Sequence, residues 1–194
     1  ILDDVFALRD MDDAADGGKV KERYNGSGAT VRGFNVEGRA AFTRWFELQA
    51  GVTLQQSRYK EPEFWSEDAE VPPVRRMFRT PDAYGYFTAS FKPVRNFTAD
   101  LSGTCTGSML VQHMAGSGVA QDVAVSTPSF FDMNVRLSYD LRIYKEITMQ
   151  LYGGVQNLFN AYQKDFDKGV DRDSGYIYGP SLPRSWFVGA KFSF

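Results

Sequence analysis

The chain has 194 residues, of which 43% are hydrophobic, 24% charged and 15% aromatic, with 16 Phe, 10 Tyr, 3 Trp and 18 Gly; aromatics and glycines in this proportion are a β-protein's composition rather than a helical bundle's. The 22 basic and 24 acidic residues leave a net charge of −2, which gives no support to nucleic-acid binding, and the single cysteine, Cys105, excludes an intrachain disulfide framework and a multi-cysteine metal cage. Mean hydropathy is −0.36, and no apolar run approaches the ~18 to 20 residues of a membrane-spanning helix, but a transmembrane β-barrel escapes that test because its strands alternate polar and apolar residues.

Taken in chain order, residues 1–9 read as a strand in which neither face is clean. Residues 29–42 place Phe34, Val36, Ala40 and Phe42 on one side. Residues 44–58 set Phe46, Leu48, Ala50, Val52 and Leu54 against Glu47, Gln49, Thr53, Gln55 and Ser57. Residues 80–92 set Ala83, Phe87, Ala89 and Phe91 against Tyr84, Tyr86, Thr88 and Ser90. Residues 97–109 carry Phe97, Ala99, Leu101, Cys105 and Met109 on one face, where the cysteine behaves as a small hydrophobe. The strictest alternation is at 129–141, with Phe131, Met133, Val135, Leu137, Tyr139 and Leu141 opposite Asp132, Asn134, Arg136, Ser138 and Asp140; a helix cannot produce it. Residues 147–159 and 184–194 complete a count of about eight antiparallel strands.

The links between strands fall into two kinds. Short ones lie around 41–43, 93–96 and 142–146, and long polar ones at 10–25, 59–79, 110–128 and 160–183. Sorting by length puts short turns at one end of the strands and long loops at the other, which is the arrangement of an outer-membrane barrel. A soluble β-sandwich also alternates. Strands of ~10 to 14 residues, against ~5 to 6 in ordinary domains, and aromatics such as Phe42, Trp45, Phe97, Tyr139, Phe159 and Phe194 near strand ends favour the membrane barrel. A self-contained eight-stranded barrel with a structural or adhesion role and a soluble β-sandwich binding module remain the alternatives.

Near the end of the chain the pattern becomes specific. Asn157, Leu158, Phe159, Asn160 and Tyr162 precede a Gly- and Asp-rich loop, followed by Gly179, Pro183, Arg184 and a strand ending in Phe194. This segment resembles the C-terminus of TonB-dependent outer-membrane receptors, in style those of Bacteroidetes-type bacteria, and a weaker likeness extends upstream over most of the chain. The resemblance implies that residues 1–194 are the C-terminal part of a 22-stranded barrel, with the plug domain and TonB box absent from these residues. It implies a Gram-negative outer-membrane location and import of a scarce nutrient such as an iron–siderophore complex, haem or cobalamin. The implied partners are outer-membrane lipid, the barrel-assembly machinery, a small-molecule ligand, and TonB only through the plug. Trp186, Val188, Ala190, Phe192 and Phe194, alternating back from a terminal aromatic, resemble the signal read by the assembly machinery.

The remaining candidates are individual residues. Arg75, Arg76 and Phe78 form a candidate ligand loop for an anionic or aromatic molecule, although Glu61, Glu63, Glu67, Asp68 and Glu70 can neutralise it locally. His113, the only histidine, is a candidate haem ligand in the next loop. Asp165, Asp167, Asp171 and Asp173 invite a calcium reading, but Gly169 and Tyr176 occupy positions where an EF-hand needs ligands. No acid, base and nucleophile set with a defined spacing is present, so no enzyme activity, cofactor or metal is expected.

Overall fold

The computed structural model describes residues 6–10, 21–68, 70–144 and 147–194. Among these residues all regular structure is β. The strands are β1 (Phe6–Asp10), β2 (Lys21–Asn25), β3 (Ala29–Thr43), β4 (Phe46–Glu63), β5 (Val74–Arg76), β6 (Ala83–Val94), β7 (Phe97–Thr106), β8 (Leu110–His113), β9 (Val123–Ser126), β10 (Phe130–Tyr144), β11 (Ile147–Gln156) and β12 (Ser185–Ser193).

One large antiparallel sheet runs in the order β12-β11-β10-β7-β6-β4-β3, with β5 also paired to β4. The strands that adjoin in this path follow one another up and down the chain, so the sheet is a meander. Its eight strands agree with the expected count, but the membership differs. The segment expected at 1–9 is not a member: β1 pairs with β2 alone in a separate ribbon, residues 1–5 lie outside the described residues, and β5 supplies the eighth strand. Short β8 and β9 pair with each other inside what the sequence presents as one long loop.

Register puts every apolar set on the same side. Phe34 faces Leu54 and Val36 faces Val52, Leu48 faces Ala89, Ala89 faces Leu101, Leu101 faces Val135, Val135 faces Val155, and Val155 faces Trp186. A slip of one residue anywhere would turn a whole strand over, so the agreement of six ladders fixes the face. That face is largely uncovered: Val155 is buried, but Phe34 is 66% exposed, Trp186 76% and Val188 89%. On the opposite face Thr53, Ser57 and Ser138 are buried. The sheet is thus inverted relative to a soluble protein, with its apolar side bare and its polar side sheltered. A β-sandwich would cover the apolar side with a second sheet, and no such sheet occurs among the described residues.

The polar face is held by side-chain hydrogen bonds. Asn35 Nδ2 donates to Thr53 Oγ1 at 2.8 Å, Ser90 Oγ to Asp100 Oδ1 at 2.7 Å, and Gln150 Nε2 to Asp140 Oδ1 at 2.9 Å. The Arg136 guanidinium lies 4.5 Å above the Tyr152 ring. Tight turns join β3 to β4 and β6 to β7 at one end, and the long connections gather at the other. The buried apolar cluster sits among those long connections: Val111, Phe130, Tyr176 and Tyr178, with Met109, Val125 and Ala161 packed on it.

Candidate functional site

Three long connections, at 64–82, 107–129 and 157–184, fold into one body at the loop end of the sheet. Arg79 is the joint between them. Its backbone adopts a left-handed conformation with φ 56°, its N–H donates to the Leu110 carbonyl at 2.8 Å, and its guanidinium donates to the carbonyls of Ile177 at 3.0 Å and Gly175. Ser66 Oγ donates to Asp122 Oδ2 at 2.6 Å, tying the first connection to the second.

The second and third connections meet through His113. Its Nε2 lies 3.0 Å from both carboxylate oxygens of Asp167; a carboxylate only accepts, so Nε2 carries the proton and donates. The imidazole is stacked flat on Tyr176, with ring centroids 3.7 Å apart and planes 6° apart. Both members of the pair are buried, with side-chain exposures of 8% and 4%. Asp167 also accepts from the Asp173 backbone N–H at 3.1 Å, and Asp173 accepts from the backbone of Met114 at 2.8 Å and Gly175 at 2.7 Å. His113 is therefore engaged on one side by a carboxylate and on its face by a ring. This is a structural environment, and it gives the haem reading of His113 no support.

Of the four aspartates that invite a calcium reading, Asp165, Asp167 and Asp173 have carboxylate oxygens directed at protein donors, and Asp171 joins through its backbone carbonyl, which accepts from the Ser117 N–H at 3.0 Å. Asp165 accepts from the hydroxyls of Tyr176 at 2.6 Å and Tyr178. Burial raises the Asp165 carboxyl, but hydrogen bonds from the two phenols first, and then from backbone and Gln163, together outweigh it and hold the group below the usual carboxylate value. The same burial and the facing carboxylate raise both phenols, Tyr178 to about 12 and Tyr176 further. The His113 hydrogen bond is the main reason the Asp167 carboxyl is also held low. Among the described residues no three His, Cys, Asp or Glu side chains are grouped to hold a metal.

The motif residues near the end of the chain act on the same body. Asn157 is buried with φ 50°. Its Nδ2 donates to the carbonyls of Ala161 and Leu182, each at 2.8 Å, its Oδ1 accepts from Ala161 N–H at 2.8 Å, and its own N–H donates to Asn134 Oδ1 at 2.9 Å. Asn160, with φ 51°, accepts from the Arg184 N–H at 3.0 Å. The two halves of the motif, 157–162 and 179–184, are thus bonded to each other, which returns the chain from the loop to β12. Gly179 has φ 81° and a Cβ there would fall 2.8 Å from the Phe130 ring, so a side chain would be both strained and crowded. Phe159 is exposed, 5.8 Å from Phe131 between ring centroids. Leu158 donates its N–H to the Met133 carbonyl at 2.7 Å. Tyr162 and Pro183 are surface residues.

Of the four candidate ligand residues, Arg75 and Arg76 come together and the other two do not join them. The two arginines line a cavity of about 320 Å³ with Gln55, Gln56, Ser57, Arg58 and Asp82. Phe78 instead packs edge-on against Trp65 at 5.3 Å, and His113 is in the loop interior. Along β12, Trp186, Val188, Ala190 and Phe192 are exposed on the apolar side, and Phe194 follows the strand, 94% exposed. Sequence reading missed Gln163, 1% exposed, which donates to the Tyr176 carbonyl at 3.1 Å and accepts from Tyr178 N–H at 3.0 Å. The period-two pairing of Gln163 and Asp165 with Tyr176 and Tyr178 was the available signal.

No family model matches the chain, and no curated protein matches it by sequence. Among solved structures it is similar to the closed form of the ferric-catecholate import receptor Fiu of E. coli K12, with TM-score 0.61 and 20% identity over 92% of this chain and 22% of that one. The siderophore receptor PiuA of Acinetobacter baumannii matches with TM-score 0.59 and 17% identity, covering 87% of this chain and 22% of the receptor. A mutant of the ferric enterobactin receptor PfeA of Pseudomonas aeruginosa matches with TM-score 0.60 and 14% identity, covering 96% and 26%. The fold is shared with these receptors. At that level the resemblance to the barrel region of TonB-dependent outer-membrane receptors, read from the motifs at 157–162 and 179–184, holds. The chain spans 22% to 26% of the length of the receptors described.

Proposed function

We propose that these residues form part of the wall and the outer loop body of a TonB-dependent receptor in a Gram-negative outer membrane, which imports a scarce nutrient. An iron–siderophore complex is the first candidate because the solved neighbours are described as ferric-catecholate, siderophore and ferric enterobactin receptors; haem and cobalamin are the others. The observation that carries this reading is the inverted sheet. A bare apolar face is costly in water and favourable against lipid hydrocarbon, and a sheltered polar face suits a lumen holding water or a plug. The long connections form a packed body at one end, where a receptor displays its ligand-capturing surface.

In this reading the plug and the TonB-contacting segment belong to other parts of the intact receptor. Energy coupling is their work, while the residues described here supply wall, loops and, in β12 with Phe194, the assembly signal. No chemistry on the ligand is needed. The sheet path begins at β3 and ends at β12 without those two pairing among the described residues. Unpaired backbone edges are not tolerated in lipid, so this open path favours a larger barrel with further strands at both edges over eight-stranded closure.

The test is growth of the source bacterium under iron limitation after deletion of the coding region for these residues. Loss of growth on a catecholate siderophore, restored by complementation, is the expected result. Unchanged growth on siderophores, haem and cobalamin as sole sources would contradict the import reading.

A further inference from the structure

Among the described residues β1 and β2 pair only with each other, and a lone two-stranded ribbon is marginal in water. Its open end is Asn25, the last residue of β2 and the register partner of Phe6. Asn25 is exposed and is followed by Gly26, where the chain has left the strand. Among the described residues neither the Asn25 side-chain amide nor the Gly26 N–H has a hydrogen-bond partner. The turn that follows is tied to the end of β4. Glu61 N–H donates to Ser27 Oγ at 3.3 Å, Lys60 N–H donates to the Gly28 carbonyl at 3.0 Å, and the Tyr24 hydroxyl donates to Glu63 Oε1 at 3.2 Å. The turn therefore lies against a stretch of β4 that carries two carboxylates, Glu61 and Glu63.

The other five asparagines of the chain lack this combination. Asn35, Asn134, Asn157 and Asn160 each use the side-chain amide in a hydrogen bond, which holds it away from its own backbone. Asn96 has no such bond among the described residues, but it precedes Phe97, whose side chain crowds the backbone nitrogen. Only Asn25 precedes a glycine. With no Cβ, that residue leaves its nitrogen unscreened and the local backbone free to bring it to the asparagine side chain.

We propose that Asn25 and Gly26 form a self-modifying site, at which the asparagine amide becomes a carboxylate without an enzyme and loosens the ribbon from β4. The Gly26 nitrogen, giving its proton to water, bonds to Asn25 Cγ; the Cγ–Nδ2 bond breaks, Nδ2 leaves as ammonia, and a five-membered succinimide remains. Water then adds to one of the two ring carbonyls. Breaking the bond from nitrogen to Cγ yields aspartate, and breaking the bond from nitrogen to the backbone carbonyl carbon yields isoaspartate. Either product sets a new negative charge on the turn bordered by Glu61 and Glu63, and like-charge repulsion opposes the docking.

The protein bearing these residues, purified in detergent, is incubated in mildly alkaline buffer made with heavy-oxygen water, digested in ordinary water and mapped by tandem mass spectrometry. The Asn25 peptide should accumulate aspartate and isoaspartate, each with one heavy oxygen, while the Asn96 peptide stays intact. Gly26→Ala should slow conversion by about fivefold or more. Asn25→Asp should raise hydrogen exchange at residues 60–63 above that of fresh wild type. An intact Asn25 peptide, conversion at Asn25 and Asn96 alike, or aspartate without isoaspartate would overturn the site, the last by showing direct hydrolysis without the ring. Wild-type exchange in Asn25→Asp would overturn the loosening.

Discussion

His113 and Asp167 are 54 positions apart, and the imidazole Nε2 is 3.0 Å from both oxygens of the carboxylate. This contact is backed by the stacked Tyr176 ring and by hydrogen bonds from Met114 to Asp173 and from Ser117 to the Asp171 and Lys168 carbonyls, and together they make two long connections one body. His113→Ala should increase hydrogen exchange and proteolysis in 110–126 and 163–178 while leaving the amides of β6, β7, β10 and β11 protected. A Cβ at Gly118 would fall 1.9 Å from Asp167 Oδ1, so Gly118→Ala should loosen the same segments. Unchanged exchange in both variants would show that the pair does not hold the loops.

Asn157 combines a left-handed backbone with three side-chain hydrogen bonds to loop backbone. Asn157→Gly keeps the backbone conformation and loses the bonds, at a cost of about 3 kcal/mol. Asn157→Ala adds backbone strain of about 1 kcal/mol or more and should be the worse of the two. The order of their thermal midpoints in detergent checks this, and the reverse order would place the importance of Asn157 elsewhere.

The Asp165, Tyr176 and Tyr178 group sets a pH window. Asp165 is held below the ordinary carboxylate value, so its contribution is full above about pH 4 and disappears as pH falls through the lower folded value. The phenols are raised, Tyr178 to about 12, so their contribution is full below about pH 10 and disappears as pH rises through the folded values. An absorbance titration should find Tyr176 and Tyr178 ionising after the exposed tyrosines, and Asp165→Asn should bring them earlier. Ionisation of Tyr178 together with the exposed tyrosines would contradict the geometry.

Much of the sheet was legible in the sequence because its stability comes from repeated cross-strand pairs, and each strand writes that repeat locally as alternation. The ends were less legible. β4 continues to Glu63, beyond the expected 58, because β5 pairs with it there and no apolar pattern marks that extension. β2, β5, β8 and β9 are three to five residues long and exist through tertiary pairing, which local composition does not announce. The loop body was least legible: nothing near His113 points to Asp167, and a ladder of aspartates reads as a cation site until the tyrosine hydroxyls and backbone N–H groups that fill it are placed.

The faces of β7 offer a paired comparison in adjacent residues. Leu101 lies midway along the apolar side and Ser102 on the polar side, opposite Thr88 and Asn134. In a bilayer Leu101→Arg should cost about 2 to 4 kcal/mol, and Ser102→Arg should be tolerated within about 1 kcal/mol, as read by urea unfolding in lipid vesicles. Equal costs would mean that the faces do not differ in solvent.

The most direct measurement of the inverted sheet is a single-cysteine spin-label scan of residues 97–106 in lipid, with Cys105 replaced by serine wherever another position is labelled. Odd positions should be accessible to oxygen dissolved in hydrocarbon and even positions to a water-soluble nickel chelate, alternating at period two. Water access on both faces, or oxygen access on the even positions, would contradict the assignment of the apolar face to lipid.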